Sequence, residues 1–420
     1  MNRAMKVLLV VTALVLQFSV PGVSISAENV TLSFSNWQWT EAGKNDDWRK
    51  LLAEFKQSHP GISFEEIAVP YDRYEDTLYT RWAGGEGPDL VVVNDSMVAK
   101  SIQLGLRSLD DLIDIGKHRG SFSKLVDMAV KDGRTYGFVT EAVVRALLYN
   151  PALFRQAGLD PSRPPKTIDE FKNACVKIKA LGPDILGYGV RNSQDQWSGM
   201  YSDFTAWVYG QGGRWAVKGA PTITAPENLR ALEEYKKVYD TGCVSRGVTA
   251  ATYRKAFGIG KVGMMIDNSA MINIYKKDSP TLEVGTAVSP FPQIKTQAEI
   301  LFVGISKAAK HPKEAASFID WFMQPTVYQK WLESINTPTG GLKQSVSPAW
   351  LSKNPWVEPF LKAADAGSTS VAPEGLEQFT AQFKQIVTKH IEQVLVANKP
   401  AKEELAAAQT EVEDLIKRSK

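Results

Sequence analysis

Of 420 residues only two are cysteine, Cys175 and Cys243, and only four are histidine. That scarcity excludes a disulfide scaffold and leaves little for a metal centre: His59, His118, His311 and His390 are scattered, and none has a second ligand at a spacing such as H-E-x-x-H. No G-x-x-x-x-G-K-[ST] phosphate loop and no G-x-S-x-G nucleophile elbow occurs, and neither cysteine has local signs of activation. Strong charge of one sign is also missing. The formal net charge is +3, which argues against nucleic acid or an anionic membrane as the main partner.

Long apolar runs are confined to the beginning of the chain. Arg3 and Lys6 precede "VLLVVTALVLQFSV", and small residues follow in "GVSISAEN", the pattern of a secretory signal peptide over 1–27 with cleavage near Ala27. The run is about 14 residues, against the ~20 that a transmembrane helix needs. No cysteine lies near the expected cleavage point, so a periplasmic location is expected rather than a lipid tether. The remaining length suffices for two domains with sizeable cores. In an oxidising compartment Cys175 and Cys243 could be joined or could remain two buried thiols, and spacing does not decide between them.

Periodicity gives the fold class. Trp48, Leu51, Leu52 and Phe55 fall at i, i+3, i+4, i+7 and describe one helical face, ended by "HPG" at His59 to Gly61. "ISFEEIAV" reads as a strand, Tyr71 to Ala83 as a helix, and "DLVVVN" as a strand covered on both faces. The alternation predicts an α/β protein with a right-handed parallel sheet. It restarts after "LLYN" at Leu147, where Thr167 and Glu170 predict a capping box; "ILGYGV", "VGMMID" and "ILFVGIS" are further strands, and the chain is helical from about Leu376. With no low-complexity linker, two α/β lobes crossed more than once by the chain are expected.

"GIGKVG" at Gly258 to Gly263 has dinucleotide-binding spacing but the wrong context, since a helix precedes it and a strand follows. The informative residues sit where strands end, the place where open sheets bind ligands. Trp37, Trp39 and Glu41 follow the first strand, Asn94 and Asp95 follow "LVVV", and Asp267 and Asn268 follow "VGMMI". Aromatics suit the C–H faces of sugars, and Asp, Asn and Glu suit their hydroxyls. In "QWSGMYSDFTAWVYG", Trp197 and Tyr201 are either core or ligand contacts. The carboxylates Glu41, Asp95, Glu141 and Asp267 leave a secreted glycoside hydrolase open as an alternative.

These pieces resemble the extracellular solute-binding proteins of family 1, the sugar-binding receptors of ABC importers. The likeness rests on "LLAEFKQSHPGISFE", "GEGPDLVVVNDSMVAKSIQLGLRSLDDLID", "YGFVTEAVVRALLYNPALFRQAGLDPSRPPKTIDEF", "YRKAFGIGKVGMMID" and "ISKAAKHPKEAASFIDWFMQPTVYQKWLESINTPT", in order along the chain. The resemblance implies a two-lobed, type II-like periplasmic-binding fold with a ligand cleft between lobes. Lobe 1 is expected over 28–139 and 270–335, and lobe 2 over 140–269 and 336–420. It also implies a monomeric receptor without cofactor, metal or catalytic activity, whose closed form docks on permease subunits. Glu141 at the first crossing and Asn336 near the last join the residues above as implied ligand contacts. The chain departs from the family at Val139, where a proline is usual, and at "DNSAM", which lacks the usual tryptophan. Within this fold a polyamine or a phosphorylated polyol is the alternative to a sugar.

Overall fold

The computed structural model describes residues 29–41, 44–367 and 369–419, so the expected signal peptide lies outside the described residues. The expected α/β alternation is present. Strand Val30–Asn36 pairs in parallel with Ile62–Ala68 on one side and Leu90–Asn94 on the other. Helix Lys44–Ser58 buries the four residues whose spacing predicted its face. Leu90–Asn94 is buried at every position, as its uninterrupted apolar run requires.

The sheet departs from the expected pair of separate parallel sheets at its centre. Strand Gln297–Ser306 runs antiparallel to Leu90–Asn94 and to the twelve-residue strand Phe138–Tyr149. The far half of Phe138–Tyr149 then pairs with Val262–Asn268, which lies parallel to Leu186–Tyr188. One curled ladder therefore passes from the first lobe into the second, and the long strand is shared by both. A register shift between Leu301 and Phe302 interrupts the pairing of the two crossing strands.

Among the described residues, three apolar cores organise the lobes. The first holds Phe34, Trp39, Trp48, Val91, Phe318 and Trp331. The second contains Phe171, Trp207, Trp215, Tyr235 and Phe383, and the third packs Phe257, Met265, Met271 and Tyr275 around Leu148. Met271, Ile272 and Tyr275 pack in the third core, while Leu342 and Val346 pack in the first. The physical reason is local: helix Ala270–Asp278 folds back on the strand it leaves, and Tyr275 meets Phe257 at 5.1 Å.

Cys175 and Cys243 are joined by a disulfide across 68 residues, which settles the alternative left open by spacing. A closed loop of that size contributes about 2–4 kcal/mol, chiefly by restricting the unfolded chain. Thr167 caps its helix by accepting from the Glu170 N–H, whereas the Glu170 carboxylate reaches back to the Lys166 N–H instead of Thr167. The "GIGKVG" glycines form a helix-to-strand turn with Gly260 at φ 76°, a left-handed conformation that suits glycine. Among the described residues no helix is long and apolar enough to cross a membrane.

Candidate functional site

The floor between the lobes is built from two facing strands. Glu141, Val143 and Arg145 alternate along one face of Phe138–Tyr149, and Glu299 lies directly opposite Val143. Glu141 is fully buried and accepts from Gln38 Nε2 at 2.8 Å, Lys44 Nζ at 2.7 Å and Thr337 Oγ1 at 3.3 Å. Its oxygens are spent on lobe 1, where they fix the loop after the first strand.

Trp37 and Trp39, expected as an exposed stacking platform, are both buried. Trp39 meets Phe34 and Trp48 edge-on at 5.5 and 6.1 Å, and its Nε1 donates to the Phe34 carbonyl at 3.0 Å. The residues Trp37–Thr40 coil into a 3₁₀ turn capped by Asn36, which rotates both rings inward. The exposed ring here is Tyr71, at the start of helix Tyr71–Ala83 and 48 % exposed. Trp37 supports it from behind at 5.4 Å. The Tyr71 hydroxyl accepts from Asn94 Nδ2 at 3.1 Å and donates to Glu299 at 3.5 Å. Its pKa is raised by burial first and then by Glu299, Asp95 and Glu75.

Glu41 does lie in the cleft. Its side chain keeps an exposed surface, yet the surrounding walls push its pKa to about 7, through desolvation and through Glu141 and Glu299, with Lys44 and Arg254 opposing. A carboxyl raised above its ordinary value of 4.5 favours the folded state most strongly below that pH, and the contribution is lost as pH rises through about 7. The wild type should accordingly lose thermal stability relative to Glu41→Gln between about pH 4.5 and 7. A carboxyl ¹³C titration should place the Glu41 midpoint near 7, and a midpoint at the ordinary value contradicts this environment.

The other expected contacts have mainly supporting roles. Asn94 caps helix Asp95–Leu104 by accepting from the Ser96 and Met97 N–H groups, both at 3.1 Å. Asp95 accepts from the Ile300 N–H at 3.0 Å and bonds Ser370, and its pKa is raised to about 6 by burial. Tyr201 is buried and stacks on Trp215 at 5.3 Å, whereas Trp197 at the helix start is half-buried. Asp267 is fully buried and engaged by Arg254 Nε and Nη2, both at 2.7 Å. Burial opposes its charge, but Arg254 outweighs burial and lowers its pKa. Asn268 donates to Asp267 and caps the next helix at Ala270. Asn336, in a left-handed conformation at φ 51°, reaches Asn273 in the other lobe.

Arg145, Arg191 and Arg254 escaped the sequence reading. Asp203 accepts from Arg145 Nη1 at 3.0 Å and from Arg191 Nε and Nη2 at 2.8 and 2.6 Å. Gly199 makes room, because a Cβ there would collide with the Arg191 guanidinium. The cleft thus has an acidic wall from lobe 1, with Glu41, Glu75 and Glu299, facing a guanidinium wall from lobe 2. Beside it, a cavity of about 300 Å³ is lined from both lobes by Asp95, Tyr209, Arg214, Trp215 and Ser370. Strand-end logic applied to Ile62–Ala68 would have found Tyr71. Arg145 and Asp203 were visible as single charges inside "AVVRALLY" and "MYSDFTAW".

A sequence profile of the bacterial extracellular solute-binding proteins matches residues 50–359. A binding protein of Brucella abortus is 31% identical over 247 residues, 58% of this chain and 59% of that protein. The sn-glycerol-3-phosphate-binding periplasmic protein UgpB of Salmonella typhimurium is 25% identical over 208 residues, 47% of this chain and 45% of that one. The matches therefore span less than two thirds of these relatives. Two solved structures superimpose over nearly their whole length. The cyclic alpha-maltosyl-1,6-maltose binding protein from Arthrobacter globiformis gives a TM-score of 0.77 at 20% identity, covering 93% of this chain and 99% of its own. UgpB from Mycobacterium tuberculosis in complex with glycerophosphocholine gives 0.77 at 18%, with the same coverages. At these identities the structures establish the two-lobed fold.

Proposed function

Since the chain belongs to the bacterial extracellular solute-binding proteins, we propose that it is the periplasmic receptor of an ABC importer, binding a carbohydrate between its lobes and delivering it to membrane permease subunits. The observation that carries this reading is the division of the cleft walls. Lobe 1 carries carboxylates at Glu41 and Glu299, and lobe 2 carries Arg191 and Arg254, whose Nη1 groups are left over from their pairs with Asp203 and Asp267. A hydroxyl donates to one wall and accepts from the other, so a polyol bridges both. Hydrogen bonds that form only when the walls approach favour the closed form, which is the form a permease recognises. Glu41, Trp197, Asn268 and Asn336 remain proposed contacts, together with Tyr71, Glu299, Arg191 and Arg254. The receptor acts as a monomer and without catalysis.

The arginine wall favours one second reading within the same fold, a phosphorylated polyol, because the guanidinium N–H groups not used by Asp203 and Asp267 donate well to anionic oxygens. A thermal-shift panel of mono- and oligosaccharides, polyol phosphates and polyamines tests these together, since a ligand at 100 times its Kd stabilises by about 2.7 kcal/mol. Unchanged sugar recovered after binding separates a receptor from a hydrolase. Tyr71→Ala should weaken binding of the solute that shifts the wild type by about 1–3 kcal/mol, while leaving the unliganded melting temperature nearly unchanged. Calorimetric titration of the variant checks this, and an unaltered Kd removes Tyr71 from the site.

A further inference from the structure

We propose that Lys384 is a solute-recognition residue, donating its ammonium hydrogens to ligand oxygens, either hydroxyl or anionic. The proposal rests on the receptor reading above and assigns a contact that neither the strand-end pattern nor the family signature supplies.

Lys384 lies on the inner face of helix Thr380–Leu395 and is only 8 % exposed. Among the described residues its Nζ has no carboxylate oxygen within 4.0 Å and no hydrogen-bond acceptor, and it lies over the Tyr201 ring at 5.8 Å. An ammonium ion largely withdrawn from water with its donors unspent is a costly arrangement. Burial accordingly lowers its pKa, with Asp95, Glu299 and Glu75 opposing from lobe 1 and Arg191 reinforcing from lobe 2.

The facing carboxylates are held by other partners. Asp95 is committed to the Ile300 N–H and Ser370, and Glu299 accepts from Tyr71. Two polar atoms of the same lobe interior are buried without partners: the Tyr201 hydroxyl, whose ring Lys384 overlies, and Gln297 Oε1, two residues from Glu299 on the same strand face. Trp215, stacked on Tyr201, and Asp95 both line the cavity of about 300 Å³. An ammonium donor without an acceptor, facing lobe 1 carboxylates that are already committed, needs a partner that accepts. A polyol does so through its hydroxyls, and a polyol phosphate adds an anionic acceptor for the ammonium.

Lys384→Met and Lys384→Gln test the assignment, with the unliganded melting temperature and the Kd for the sugar or polyol phosphate that shifts the wild type as readouts. The expected result is a Kd weakened at least tenfold with the unliganded melting temperature unchanged or raised, because an unpaired charge has left the interior. Wild-type Kd in both variants overturns the proposal and leaves the receptor reading intact. A lowered melting temperature in both variants also overturns it, because the lysine then serves to hold the lobe 1 carboxylates. A wild type that binds nothing in the panel overturns the receptor reading, and this proposal with it.

Discussion

Replacing Asp203 by Asn should lower the free energy of unfolding by about 3–5 kcal/mol, the range for breaking a buried ion pair by removing one partner. Asp203 is 4 % exposed and receives Arg145 from strand Phe138–Tyr149 and Arg191 from the loop after Leu186–Tyr188. It also accepts the Arg191 backbone N–H at 3.1 Å, so the carboxylate fixes the loop as well as the side chain. An amide of the same size keeps the packing and loses the charge, leaving two guanidiniums close together in a partly dry wall. Their mutual repulsion adds to the desolvation that Asp203 offsets. Urea denaturation of the two proteins measures the difference, and a loss under about 1 kcal/mol assigns the cluster the value of a surface pair. Where the variant remains folded, its affinity should fall too, because Arg191 then lacks the fork that aims it.

The same cluster marks the limit of what could be read from the chain. Fold class, helix faces and strand positions follow from periodicity, because burial acts on every residue of an element and leaves a repeated signal. Trp48, Leu51, Leu52 and Phe55 are an instance, and all four are buried as their spacing requires. Site residues act singly. The strand-end rule led to Glu41, Asn94, Asp95 and Asp267, yet three of these hold neighbours in place: Asn94 caps a helix, Asp95 ties Ile300 to Ser370, and Asp267 orients Arg254. The rule finds the right end of the sheet, and side-chain direction then decides which residue reaches the cleft. For Asp267 that direction depends on Arg254, thirteen residues earlier on a helix whose register no local pattern links to the strand. A charge inside an otherwise apolar element is the more transferable signal, since a buried charge requires a partner. Arg145 and Asp203 each carry it, and they are each other's partner.

Trp39→Ala should destabilise the protein by about 3–5 kcal/mol, the cost of truncating a fully packed core tryptophan, and leave the solute affinity of the folded protein within about twofold of wild type. The indole fills the space between Phe34 and Trp48 and satisfies the Phe34 carbonyl, so the change opens a cavity and removes a buried hydrogen bond. Trp48 in turn packs on Trp331 at 4.5 Å and donates to Gln38 at 2.7 Å. Gln38 carries the chain of contacts on to Glu141 at 2.8 Å. Loosening Trp39 thus weakens the support beneath the cleft without removing any group that faces it. Tyr71→Ala should show the reverse pattern, with affinity lost and stability kept. Denaturation curves and calorimetric titrations on the two variants separate the roles. If Trp39→Ala loses affinity at full stability, the indole turns outward in the liganded protein, and the aromatic pair after the first strand is a stacking wall after all. If it loses stability alone, the tryptophans after that strand are the foundation on which Tyr71, Glu41 and Glu299 are presented.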